Sequence, residues 1–389
     1  MGLKHEAYIT GVGQSEVGVR IARSPMGITM DAIKAAMADA GLTFDQIDGV
    51  ATYPGRMASF LGFSPIGVDE VIETCGIKAR WHMGGGEIPA QLSAIAEAAD
   101  AVRNGHARHV ICFRTVYEAA AMSRPDEFPP LRREFVDGGS QWTAPYFAIS
   151  AACWVAHYAN RQMKRHGMTR EQLAQIALNA NRNALANPNA RAITKKELTL
   201  DEYMNARPIT TPFCLYDCDR FTDCSTVVIV SAGDALDEVK TTPIRIAASA
   251  GSVHRYSWDQ PDYMASYATG PDLWAKTDYK PKDVGTVQFY DGFAFFPISW
   301  LEALGFCEVG AGHEFVDGGT RIARDGELPM NTGGGQLGAG RLHGFGFAYE
   351  AALQLRGDAG ERQIPGEPRV AVATSGGGPL AAALLLARD

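Results

Sequence analysis

The sequence predicts a layered α/β protein built from two similar halves. Short apolar strands alternate with amphipathic helices, and one helix–strand pattern recurs at a fixed offset, with a long helical insertion between its two copies.

The elements follow in order. Ala7 to Gly13 (AYITGVG) reads as a buried strand ending in glycines. A helix is predicted from about Gly27 to Ala40, because Ile28, Ala32, Ile33, Ala36 and Met37 fall near helical spacing and Gly41 stops the run. A second strand follows at Ile47 to Thr52. Late in the chain, a short helical stretch ends over Asp272 to Lys276, and KDVGTVQFY follows at Lys282 to Tyr290. Beside DQIDGVATY at Asp45 to Tyr53, the two runs match at one offset: Ile47 with Val284, Val50 with Val287, Tyr53 with Tyr290. Ile95 to Val116 holds an alanine-rich helix, a turn at Asn104-Gly105 and the strand HVICF; Glu350 to Thr374 repeats helix, glycine turn and the strand VAVAT. An offset of about 240 residues means a duplicated domain rather than a solenoid, with halves at 1–240 and 241–389. Residues 117–215 form an insertion in the first half. It carries an amphipathic helix over Ala148 to Gly167, then another starting at the cap Thr169 with Glu171 close behind. Such segments commonly cover the active-site face of α/β enzymes.

Composition narrows the function. The 389 residues are 46% hydrophobic and 21% charged, the balance of a soluble globular protein. A net charge of −8 argues against nucleic-acid binding. No stretch approaches the roughly 20 apolar residues of a membrane span, and the N-terminus lacks an apolar signal core. Seven scattered cysteines fit a reducing cytoplasm better than a disulfide framework. Cys214, Cys218 and Cys224 lack paired CxxC spacing and a nearby histidine, and read as structural thiols. The nine histidines show no HxH or HExxH spacing, so no metal site is expected.

Five segments in order then resemble the thiolase superfamily, specifically its sterol-carrier-protein-x-type thiolases or lipid-transfer proteins. They are AYITGVGQSEVG, MTREQLAQIALNANRNALANPNA, LEALGFCEVGAGHEF, MNTGGGQLGAGRLHGFGFAYEAALQLRG and ATSGGG. The resemblance spans nearly the whole chain. It implies a five-layer αβαβα thiolase fold, a loop domain over the active site and a dimer at minimum.

The four catalytic signatures of such thiolases are all altered. The family's nucleophilic cysteine, set at a helix N-terminus that favours a thiolate, should fall near Ile88 or Pro89; no cysteine lies between Cys75 and Cys112. The second cysteine belongs to a CxGGG-like turn, here Thr374-Ser375-Gly376-Gly377-Gly378. A hydroxyl there has too high a pKa to serve as that base without a dedicated partner. The His-Asp-x-Phe signature becomes Tyr290-Asp291-Gly292-Phe293, which keeps a hydrogen-bond donor and adds a group able to give or accept a proton. The Gly-His-Pro loop becomes Gly340-Arg341-Leu342-His343-Gly344. Arg341 cannot act as a base but can bind an oxyanion or anchor substrate, and His343 can move protons.

Retro-aldol cleavage needs such a set. Steroid side-chain aldolases of this superfamily carry tyrosines after the second-half strand and in the glycine loop, and Tyr290 matches the first. The resemblance implies a lyase acting on a β-hydroxyacyl-CoA, with a steroid side-chain thioester as the substrate class, and releasing a ketone plus propionyl-CoA or acetyl-CoA. Coenzyme A enters as part of the substrate, and a small partner of OB fold and zinc ribbon is implied. Tyr290, His343, Asp291 and Arg341 are the expected catalytic residues. Two other readings stay open: a non-catalytic subunit binding acyl-CoA or lipid, and an acyltransferase using another cysteine such as Cys307.

Overall fold

Two glycines bring the first strand against the first helix. A Cβ on Gly13 would lie 2.3 Å from Ala32 O, and one on Gly11 2.6 Å from Ala36 O, so only glycine permits this approach. That helix, Pro25–Ala40, is capped by Ser24, whose side chain accepts from Gly27 N, and ends at Gly41 in the left-handed region. The computed structural model describes residues 6–57, 62–85, 90–124, 126–127, 140–254 and 262–389.

The strands are β1 (Ala7–Gln14), β2 (Gly49–Thr52), β3 (Trp81–Met83), β4 (His109–Tyr117), β5 (Pro208–Thr210), β6 (Phe213–Cys214), β7 (Asp223–Ala232), β8 (Ile244–Val253), β9 (Thr286–Gln288), β10 (Val370–Gly376) and β11 (Leu380–Ala387). Nine of them form one mixed sheet in the order β3-β2-β4-β7-β1-β8-β11-β10-β9, while β5 and β6 pair separately. The order β2-β4-β7-β1 and the order β9-β10-β11-β8 are the same connection made twice. In each, a parallel pair is followed by antiparallel ones, with Val50 opposite Ile111 in the first and Val287 opposite Val372 in the second. The two copies join only at Tyr8–Arg245 and Ile9–Ile244.

Between them lie two helices, Ser93–Arg103 and Gly344–Arg356, each packed on strands of both copies. Ile95, Ala98, Ala99, Phe345, Ala348 and Leu355 are fully buried in this layer. Each large apolar side chain so buried contributes about 1.5–3 kcal/mol. Pro25–Ala40 covers β1 and β7 from outside, and Ser266–Ala275 covers β8 and β11. Helix, sheet, helix, sheet and helix make the five layers of the α/β thiolase fold.

The inserted helices run over Ala151–His166 and Arg170–Leu185. The second has a capping box, but its partner to Thr169 is Gln172 rather than Glu171, since only the third helical residue reaches back to the cap N–H. Its inner face carries buried asparagines. Asn179 Nδ2 donates to Met330 O (2.9 Å), Asn183 Nδ2 to Met330 O and Asn331 O (3.0 and 3.1 Å), and Asn187 Nδ2, beyond the helix end, to Gly333 O (2.8 Å). The insertion thus holds the glycine-rich turn of the second half by its carbonyls. Among the described residues, no helix is long and apolar enough to cross a membrane.

Candidate active site

Tyr290 leaves β9 under firm backbone control. Its N–H donates to Thr374 Oγ1 (2.8 Å), and Asn331 clamps the preceding residue through Phe289 N and Phe289 O (2.7 and 2.9 Å). The ring meets Phe296 and Phe347 edge-on, at centroid distances of 5.6 and 6.2 Å. Burial, then Asp219, push the phenol well above its ordinary value, while Arg341 and the Gln336 side chain oppose the rise. Tyr290 therefore rests protonated, as a hydrogen-bond donor.

Asp291 sits behind it, fully buried. Its Oδ1 accepts from Gln336 N (2.7 Å), at the start of the Gly335–Ala339 turn of helix. A Cβ on Gly335, at φ 57°, would lie 2.0 Å from Asp291 Oδ2, so the turn needs glycine there. Burial raises the carboxyl to about 7 against the pull of the Gln336 and Leu337 N–H groups. One oxygen thus holds the backbone turn, while Oδ2 is buried with no hydrogen-bond partner among the described residues.

Gln336 links the group. Its Oε1 accepts from His343 N (3.0 Å), and its Nε2 is buried with no hydrogen-bond partner among the described residues. His343 is buried at a positive φ of 56°, which a non-glycine residue holds only under constraint from its surroundings. Arg114, itself buried in β4, directs Nε and Nη2 at His343 Nδ1 (3.2 and 2.9 Å), and donates from Nη1 to Thr115 O (3.0 Å) and from Nη2 to Phe63 O (2.6 Å). Desolvation, Arg114 and Arg341 hold the imidazole well below its ordinary pKa, so it is neutral. An arginine can only donate, so Nδ1 is the acceptor and Nε2 carries the proton.

Arg341 reaches the site paired with two carboxylates. Nε and Nη2 fork onto Asp219 (3.0 and 2.6 Å), Nη1 meets Glu118 Oε1 (3.3 Å), and the guanidinium lies 4.3 Å over Phe221. Its fork thus holds two carboxylates in place beside the expected role as oxyanion or substrate anchor.

The hydroxyls of the glycine turn are also engaged: Thr374 accepts from Tyr290 N, and Ser375 Oγ accepts from Leu92 N (3.1 Å) at the head of the Ser93–Arg103 helix. Burial pushes the thiols of Cys75 and Cys214 up to about 11 and those of Cys218, Cys224 and Cys307 up to about 12. Cys307 is therefore no ready thiolate, contrary to the acyltransferase reading. Ile88 and Pro89 lie outside the described residues. The site thus gathers two neutral donors, Tyr290 and His343, beside a pair of carboxylates.

Comparison with known proteins places the chain in a family. The chain is 30% identical over 98% of its length to a steroid side-chain-cleaving aldolase of Thermomonospora curvata, of which 98% is covered. It belongs to the thiolase-superfamily aldolases. The family described as "Thiolase C-terminal domain-like" matches residues 249–387 of this aldolase. A 17-hydroxy-3-oxo-4-pregnene-20-carboxyl-CoA lyase of Mycobacterium tuberculosis is 29% identical, over 98% of the aldolase chain and all of the relative. The solved structure of an Ltp2-ChsH2(DUF35) aldolase superposes with a TM-score of 0.87 at 28% identity, covering 100% of this chain and 99% of that one.

Sequence reasoning missed Arg114, Glu118, Asp219 and Gln336. The signal for Arg114 was a single arginine inside the otherwise apolar strand HVICFRTVY. Charge is buried only at a cost that a partner must offset.

Proposed function

We propose that this aldolase cleaves the Cα–Cβ bond of a β-hydroxyacyl-CoA by retro-aldol reaction, releasing a ketone and propionyl-CoA or acetyl-CoA. What supports the reading is a Tyr290 that burial keeps protonated, together with a neutral His343 whose Nδ1 accepts from Arg114 and whose backbone N–H donates to Gln336 Oε1. Loss of the β-hydroxyl proton drives the Cα–Cβ electron pair onto Cα and the thioester oxygen. The enolate needs donors at its oxygen and a proton at its carbon. His343 Nε2–H supplies the first, and the Tyr290 O–H supplies the second. Asp291 and Arg341 position this machinery.

The relatives named for steroid side chains and a pregnene carboxyl-CoA support a steroid side-chain thioester as the substrate class. The solved Ltp2-ChsH2(DUF35) relative supports a small partner protein, which we assign an OB fold and zinc ribbon. We further propose a homodimer acting in the cytoplasm. The test is release of propionyl-CoA or acetyl-CoA and ketone from β-hydroxyacyl-CoA esters by the purified chain, alone and with an OB-fold partner. Turnover is expected. Binding of the ester without release under both conditions would instead make the chain a non-catalytic acyl-CoA-binding subunit.

A further inference from the structure

Retro-aldol cleavage starts by removing a hydroxyl proton, and most groups at the site are unable to take it. Tyr290 rests protonated, and His343 has its one lone-pair nitrogen occupied by Arg114. Asp291 Oδ1 is bound by Gln336 N, and its Oδ2, also without a hydrogen-bond partner among the described residues, lies so close to Gly335 that a Cβ there would sit 2.0 Å away. Asp219 has both oxygens within hydrogen-bond distance of the Arg341 fork. Glu118 differs. It begins the Glu118–Ser123 helix where β4 ends, is only 5% exposed, and gives one oxygen, Oε1, to Arg341 Nη1. Its Oε2 is buried with no hydrogen-bond partner among the described residues.

Such an atom is costly unless something occupies it part of the time. Glu118 also shares its surroundings with the chemistry: Arg114 feels both Glu118 and Tyr290, and Arg341 feels both Glu118 and Asp219. We infer that Glu118 Oε2 is the general base that accepts the β-hydroxyl proton of the substrate, an inference that rests on the retro-aldol reading above. The O–H bond breaks to Glu118 Oε2, the carbonyl of the ketone forms, and the Cα–Cβ bond breaks to the enolate. Tyr290 O–H then protonates Cα, and the Glu118 carboxylic acid returns its proton to the phenolate, so the site is restored without a co-reactant. Arg341 keeps Glu118 oriented and Asp219 occupied. Burial raises the Glu118 carboxyl against the pull of Arg341, which strengthens it as a base.

The test compares wild type, Glu118→Gln and Glu118→Asp, with the OB-fold partner present if turnover needs it. Wild type should lose kcat as pH falls through an acid limb. Glu118→Gln should bind acyl-CoA within about threefold of wild type, yet lose about 10²-fold or more in kcat, with no acid limb. Glu118→Asp should be slower than wild type and keep the limb, which covers the case in which the glutamine variant fails to fold. A wild type without an acid limb, a Glu118→Gln enzyme with wild-type turnover, or one that is slowed but retains the limb overturns the assignment. In those three results the protein still cleaves its substrate. If wild type cleaves no β-hydroxyacyl-CoA at all, the aldolase reading itself fails.

Discussion

Arg114 of the first half holds His343 of the second by aiming two guanidinium nitrogens at one imidazole nitrogen, Nδ1, at 3.2 and 2.9 Å. The contact joins residues 229 apart in sequence. It fixes which ring nitrogen carries hydrogen and adds to the burial that keeps the ring uncharged.

Arg114→Met should release both constraints. In protein labelled with 15N at histidine, wild-type His343 should show an unprotonated Nδ1 and a protonated Nε2 down to pH well below the usual histidine midpoint, because its pKa is depressed. The variant should titrate nearer to about 6.5 and lose at least about 10-fold in kcat, as donors misplaced from an oxyanion cost. Arg114→Lys, still a donor, should recover part of the loss. An unchanged His343 spectrum in Arg114→Met would refute the coupling.

Tyr290→Phe removes the phenolic proton but leaves the edge-on contacts with Phe296 and Phe347. Cleavage should fall by about 10²-fold or more, with the melting temperature nearly unmoved. Wild-type turnover in this variant would exclude Tyr290 as the proton donor.

Asp291 gives a stability prediction with a definite sign. Its carboxyl ionises near 4 when unfolded and at about 7 when folded. Between those values the folded state holds the extra proton, so this group's stabilising contribution is complete below about 4 and lost as pH rises through about 7. The slope is at most about 1.4 kcal/mol per pH unit. Asp291→Asn keeps an oxygen for Gln336 N and should flatten this part of the profile. Urea unfolding at pH 5 and pH 8 measures the difference; an equal pH dependence in both proteins would contradict it.

Asn183→Ala strips one of two donors from Asn331 O, leaving Gly334 N, and one of two from Met330 O, leaving Asn179. A loss of about 1–3 kcal/mol is expected for leaving buried carbonyls short of partners. Because Asn331 also clamps Phe289 beside Tyr290, kcat should fall along with stability. Thermal melts and turnover of the same preparation decide this. An effect on neither would mean that the turn holds itself.

The strands and helices were legible because their signals are local. The β1 glycines, the cap at Ser24, the stop at Gly41 and the apolar runs around Val50 and Val287 each act within a few residues. The positions Tyr290, Asp291, Arg341 and His343 were legible through motif order, and Gln336 ties Asp291 to His343. Their roles were not. Whether Arg341 faces substrate or carboxylate depends on Asp219 and Glu118, which lie 122 and 223 residues away. Asp291 looked like acid–base equipment because nothing in its neighbours announces the Gly335 turn that it caps. The asparagines at 179, 183 and 187 stood in a quoted motif, but their meaning appears only when the turn they hold is seen.

Matching Val50 with Val287 makes Ile111 correspond to Val372, and hence Arg114 to Ser375. Ser375 reaches Leu92 at the head of the first half's central helix, and Arg114 reaches His343 at the head of the second's. Each half therefore finishes the other's helix, one with a neutral hydroxyl and one with a charge. The consequence is division of labour within a symmetric frame: the hydroxyl side is left as scaffolding, the charged side carries the chemistry, and neither copy alone contains a working centre.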